Sequence, residues 1–179
     1  MSKLTNPNIP QKTDHIWYDT QTIATLAVQT NFFAAASTNI QLSNMVLANQ
    51  FPLGERNTVR GIRIFVKTRN GATVLTARDI EELGFGLVQL QVQGRLPLVQ
   101  RHAVQCPAGN GVYITDATAA LAGVQNGFPS IVNTWYLNEP LDFQGEVFTF
   151  AINWVTAVVL SASAIVRAEL ITDRYASSG

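Results

Sequence analysis

Cysteine, histidine and charge are scarce in this chain, and each scarcity removes a class of function. Cys106 is the only cysteine, which excludes an internal disulfide framework and argues against a small secreted module. Histidine occurs only at His15 and His102. His102 and Cys106 are four positions apart, about 13 Å if the stretch is extended, and a zinc site wants three or four ligands. We therefore expect no metal and no cofactor. Charged residues are 13% of the chain, about half the usual share of roughly 25%. Twelve Lys plus Arg balance twelve Asp plus Glu. No basic run occurs, so the electrostatic footprint of a nucleic-acid binder is missing.

Catalytic signatures are equally thin. There is no G-x-S-x-G elbow, and Cys106 precedes Pro107, whose nitrogen has no hydrogen to offer an oxyanion. Glu81 and Glu82 are adjacent on an expected helix and point to different sides. Asp142 and Glu146 flank Phe143-Gln144-Gly145 as a loop pair, but twelve acids in any β protein produce such pairs. Gly84-Phe85-Gly86 lacks both the third glycine and the following helix of a phosphate loop. Arg56, Arg60 and Arg63 form the one local cationic cluster, able to hold a phosphate or a partner carboxylate through bidentate bonds or simply a solvated strand entry. Trp17, Trp135, Trp154, Tyr18 and Tyr136 could line a sugar-binding face, but such residues more often anchor cores and interfaces. We expect no enzyme and assign no catalytic residue.

Apolar residues are present in plenty, 47% of the chain. Side-chain amides number 25 and supply the polar surface that charge does not. Such an exterior resists self-association poorly, a mild pointer to assembly. From Val147 to Val166 no residue is charged, long enough for a spanning helix. Yet the run alternates. Phe148, Phe150, Ile152 and Trp154 share one face; after a turn near Thr156, Val158, Leu160, Ala162, Ala164, Val166, Ala168 and Leu170 form a second set. Period two with β-branched and aromatic residues predicts two long strands, each burying one face.

The remaining segments read as short strands and turns. Residues 1–14 are expected to be an extended arm without an apolar signal region, and 15–179 one domain. A strand is expected over 22–28, and a long packed loop over 34–57. Gly61–Arg69 predicts a strand, Asn70-Gly71 a hairpin turn and Thr73–Leu75 the returning strand. Thr76 caps a short helix ending at Gly84. Phe85–Gln93 and Leu96–Gln105 predict strands, the second an edge because of Pro97. A turn at 106–111, a strand at 112–115, a brief helix over 116–124, a strand over 130–136 and a turn at 137–140 complete the pattern. The fold class that follows is all-β: a sandwich or barrel of about eight strands with one or two short helices.

The order of several segments carries a resemblance. Thr38-Asn39 to Asn44-Met45 precedes Phe51-Pro52-Leu53-Gly54 and Gly61-Ile62-Arg63-Ile64. Trp135-Tyr136-Leu137-Asn138-Glu139-Pro140-Leu141 follows, and Glu146–Asn153 with Ala164–Arg174 closes the chain. This order resembles the single jelly-roll capsid proteins of tailless icosahedral phages that place two small capsid proteins over an internal membrane (sphaerolipovirus-like). The resemblance implies a single jelly roll standing upright on the capsid floor, in dimers or pseudo-hexamers. It also implies contacts with a second capsid protein and with lipid, in a virion assembled in the host cytoplasm. It carries over no catalytic residue. The arm holds only Lys3 and Lys12, unlike the Arg-rich arms of RNA-virus jelly rolls, so no direct nucleic-acid contact is expected.

The expected function is therefore a coat subunit that assembles with itself and its partners. Its expected interface residues are Ile9 and Pro10 in the arm, Met45 and Phe51 in the long loop, Arg56 at the start of a strand, and Pro107 and Asn110 in a turn. The alternative is a lectin-like or receptor-binding jelly-roll module of a virion.

Overall fold

The computed structural model describes residues 11–67, 69–70, 73–106 and 135–176. Its strands are β1 (Gln11–Ile23), β2 (Gln29–Phe32), β3 (Glu55–Lys67), β4 (Arg69–Asn70), β5 (Thr73–Val74), β6 (Leu87–Val92), β7 (Val99–His102), β8 (Trp135–Phe143), β9 (Phe148–Asn153) and β10 (Ala164–Ala176). One helix, α1 (Ala77–Gly84), and a 3-10 turn, Ala103–Gln105, complete the described elements. Two four-stranded antiparallel sheets have the orders β1-β10-β3-β8 and β2-β9-β6-β7. Chain neighbours such as β1 and β2, or β9 and β10, thus fall in opposite sheets. That interleaving is the jelly roll.

Alternation builds the core. Ile62, Ile64 and Val66 of β3, Val88, Leu90 and Val92 of β6, and Val166, Ala168 and Leu170 of β10 are buried, each set on one face of its strand. Six phenylalanines (Phe32, Phe33, Phe51, Phe143, Phe148 and Phe150) are almost completely enclosed. Their rings meet edge-on or tilted, as in Phe51–Phe148 with centroids 4.9 Å apart and Phe33–Phe150 at 5.7 Å, the arrangement that ring quadrupoles favour. Burying each contributes about 1.5–3 kcal/mol.

Local signals produced the elements they should. β4 and β5 pair antiparallel, Arg69 opposite Val74 and Asn70 opposite Thr73, and the residues between them lie outside the described residues. Thr76 caps α1, its hydroxyl accepting from the Asp79 N–H at 3.2 Å while the Asp79 carboxylate accepts from the Thr76 N–H at 2.7 Å, a reciprocal capping box.

Several boundaries differ from the sequence reading. Gln11–Asp14, expected in the arm, belong to β1 and pair with Asp173–Ala176. The strand expected over 22–28 ends at Ile23; Leu26, at a φ of 67°, turns the chain. The final strand begins at Ala164, not near Val158; Val158 and Leu160 are buried from a loop instead. The strand expected over 96–105 shrinks to the four residues of β7, at the edge of its sheet, because the 3-10 turn takes over at Ala103. The expected turn at Leu137–Pro140 lies inside β8. There Leu141 pairs with Val59 and Tyr136 with Gly61, so four residues of β8 stand opposite Arg60 alone, as an enlarged bulge. The elements expected between 107 and 134 lie outside the described residues.

Sheet edges are guarded unequally. Along β1, Asn44 imitates a neighbouring strand with its side chain: Oδ1 accepts from the Tyr18 N–H and Nδ2 donates to the Ile16 carbonyl, both at 2.8 Å. Asn44 N–H donates to the Tyr18 carbonyl at 3.2 Å. This satisfies edge groups that another chain could otherwise pair with. The β8 edge is interrupted by its bulge and by Pro140, which has no N–H.

Candidate functional site

The residues singled out for chemistry are dispersed. Cys106 is fully buried, and burial pushes its thiol up to about 12, so it is not a nucleophile near neutrality. The thiol points at the His102 carbonyl at 3.8 Å, while His102 Nδ1 lies 2.9 Å from the Phe85 carbonyl. Among the described residues no group of three or more His, Cys, Asp and Glu is placed to hold a metal ion, and no helix is long and apolar enough to cross a membrane.

Asp142 and Glu146 do not converge. Thr58 and Arg56 donate to the Asp142 carboxylate and hold it below its ordinary range, against a smaller opposing effect of burial. Glu146 instead accepts from the Gln144 N–H. Glu81 is exposed and Glu82 half-buried, with Glu82 3.9 Å from Arg78.

The arginine cluster is neutralised on the outer face of the β1-β10-β3-β8 sheet. Arg56 pairs with Asp142 and Arg63 with Glu169. Arg60 lies 2.9 Å from Asp14 and 3.0 Å from Asp173, and Lys12 reaches Asp173 at 3.0 Å. These pairs join β1, β3, β8 and β10 laterally and leave none of the three arginines as a free anion site.

The aromatic residues suggested as a sugar-binding face have separate surroundings, and the side chain of Trp135 lies outside the described residues. Trp17 is buried, its indole N–H donating to Asn57 Oδ1 at 3.0 Å. Trp154 is half-buried and donates to the Glu82 carbonyl at 3.2 Å. Tyr18 lies under the Arg167 guanidinium, 4.2 Å from its ring centroid, and donates to the Ile40 carbonyl. Tyr136 is 58% exposed.

The expected interface residues divide three ways. Met45 and Phe51 are corrections: at 1% and 0% exposure they belong to the core and present nothing to a partner. The loop that carries them folds back so that these anchors fill the space between the sheets. Arg56 is exposed, though engaged by Asp142 and 5.6 Å from the Tyr175 ring centroid. Ile9, Pro10, Pro107 and Asn110 lie outside the described residues.

Sequence reasoning missed the exposed aliphatics beside the buried anchors. From Thr20 to Gly54 no residue is charged, and this stretch exposes Leu26, Val28, Ile40, Leu42, Val46 and Leu53. Leu26 and Val28 meet the 154–160 loop through three backbone hydrogen bonds: Leu26 N–H to Val158 O, Val158 N–H to Ala27 O, and Trp154 N–H to Val28 O. Val155 and Val159 are exposed on that loop. Leu26, Val28, Val155 and Val159 therefore lie on two adjoining uncharged loops. The length of the charge-free stretch was the available signal. No known protein family and no curated protein matches this chain.

Proposed function

We propose that this chain is a structural coat subunit that packs against copies of itself and against a second capsid protein to form an icosahedral shell. The observation that carries the reading is the apolar surface on a rigid frame. Among the described residues fifteen large hydrophobic side chains are exposed. Several lie together in charge-free loops rather than singly, as they would on an ordinary monomer. The interleaved sheet order, zero formal net charge and amide-covered exterior support the same reading. The mechanism is geometric: a stiff two-layer core presents loops whose contacts, individually weak, are repeated by symmetry until a shell closes. A stable contact buries more than about 1,000 Å².

Light scattering over a concentration series, with negative-stain imaging of the chain alone and in a purified particle, tests the proposal. The expected result is concentration-dependent assembly and incorporation into particles. A chain that stays monomeric at high concentration and is absent from every particle overturns it. Glycan binding by such a monomer would instead favour a receptor-binding module.

A further inference from the structure

Two features on one sheet, each carrying a charge without an ion-pair partner among the described residues, fit one another. The first is a groove of about 480 Å³ on the outer face, where the loop between β2 and β3 borders β10 and β3. Leu42, Phe65 and Ile165 give it apolar walls. Arg167, also in its lining, is committed to Tyr18, Thr20 and the Gln41 carbonyl. Lys67 is exposed there and has no ion-pair partner among the described residues. The second feature is the β8 bulge at the far edge of the same sheet. Tyr136, Glu139 and Pro140 are exposed on it, and Glu139 likewise has no ion-pair partner among the described residues.

We propose that the β8 bulge of one copy seats in the outer-face groove of the next, with Glu139 against Lys67 and the Tyr136–Pro140 surface against Leu42 and Phe65. Three arguments select a second copy as the occupant. Lys67 and Glu139, neither of them ion-paired among the described residues, are opposite in sign, and complementary charges set register and orientation at contacts. The bulge offers an aromatic ring and a proline to an apolar-walled groove, and Tyr is enriched at such contacts. Pro140 and the bulge spoil the edge for strand addition, so β8 meets a neighbour through side chains. Because bulge and groove are different surfaces of one chain, the contact is head-to-tail. Repeated, it gives a ring where the rotation closes.

This contact rests on the coat-subunit reading, and one experiment separates the two. Sedimentation velocity of the full chain is compared over a concentration series for wild type, Glu139→Lys, Lys67→Glu, the double reversal and Leu42→Asp, with thermal melts showing that each variant folds. Each charge reversal and Leu42→Asp is expected to weaken association about tenfold or more, and the double reversal to return it to within about threefold of wild type. Single reversals that associate like wild type, or a double reversal as weak as its parents, overturn the contact while leaving the coat reading in place. A wild type that never associates removes both.

Discussion

The Asp79 carboxylate on α1 accepts hydrogen bonds from the Ser161 backbone N–H, at 2.8 Å, and from the Ser161 hydroxyl. It thereby ties the helix to the loop that precedes β10. The same carboxylate closes the capping box with Thr76, so one buried group serves helix and loop together.

That double use makes Asp79 a pH-sensitive strut. Burial is the largest single effect and pushes its pKa up, but the combined hydrogen bonds from Ser161 and Thr76 outweigh it and hold the pKa below the ordinary 3.8. The folded-state pKa is thus lower than the unfolded one. The stabilisation is present above about pH 4 and lost as pH falls through the folded value. Asp79→Asn places an amide donor among donors, and is expected to destabilise the protein by about 1–3 kcal/mol at neutral pH. The gap between variant and wild type should close as acid protonates Asp79. Urea denaturation at pH 7 and below pH 4 checks this; equal stabilities at pH 7 refute it.

How much was legible depended on whether the signal was local. The Thr76 cap, the pairing of the strands on either side of Asn70-Gly71 and the alternation of Ile62, Ile64 and Val66 each rest on signals within a few residues, and each gave its element. The start of β1 did not, because Gln11–Asp14 have no apolar alternation. Their partners are distant in sequence: Lys12 reaches Asp173, and Asp14 reaches Arg60. Pro140 announced a break in regular structure, but only pairing with β3 decides between turn and bulge. For the candidate site, an isolated Met45 or Phe51 in an irregular stretch looks the same whether it faces a partner or the core. What separates them is how the loop folds back, which no short-range pattern records.

Phe51 therefore reports on the core and not on assembly. It contacts the rings of Trp17, Phe143 and Phe148, with centroids 5.7, 5.4 and 4.9 Å away. Phe51→Ala leaves a cavity where both sheets and the loop meet, and should cost about 3–5 kcal/mol. Leu53→Ala, two residues on and exposed, should change stability by less than about 0.5 kcal/mol. Guanidinium denaturation of the two variants gives the contrast; near-equal midpoints would return Phe51 to the surface.

His15 links pH to the guarded β1 edge. Its Nε2 lies 3.5 Å from Asn44 Nδ2, the group that donates to the Ile16 carbonyl, and its ring is 4.4 Å from that of Trp17. Burial lowers the His15 pKa below 6.5; Arg174 lowers it further, and Glu55 opposes. The neutral ring is therefore favoured in the folded state. Its contribution is intact above pH 6.5 and declines as pH falls through the lower folded value. His15→Gln, which cannot titrate, should remove that part of the pH dependence between about pH 5 and 7. Amide exchange at Tyr18 should quicken on acidification in wild type and not in the variant. A His15 resonance that titrates at or above 6.5 contradicts this account.

Gly86 sits where no side chain fits. A Cβ there would lie 2.8 Å from the Trp154 indole and closer still to Ile152 Cγ2. Both neighbours are held: Ile152 is buried in β9, and Trp154 is anchored by its hydrogen bond to the Glu82 carbonyl. The Gly86 carbonyl in turn accepts from the Ala103 N–H at 2.7 Å, joining the end of α1 to the turn after β7. Gly86→Ala must push the indole off its anchor or move this backbone, a strain of about 1–3 kcal/mol. The expected readout is a lower melting temperature with a red shift in tryptophan emission as Trp154 becomes wetter. Pairing the change with Trp154→Phe, which removes the anchor, should recover part of the loss. A Gly86→Ala protein that melts with wild type would mean that the strands here separate more easily than their packing implies.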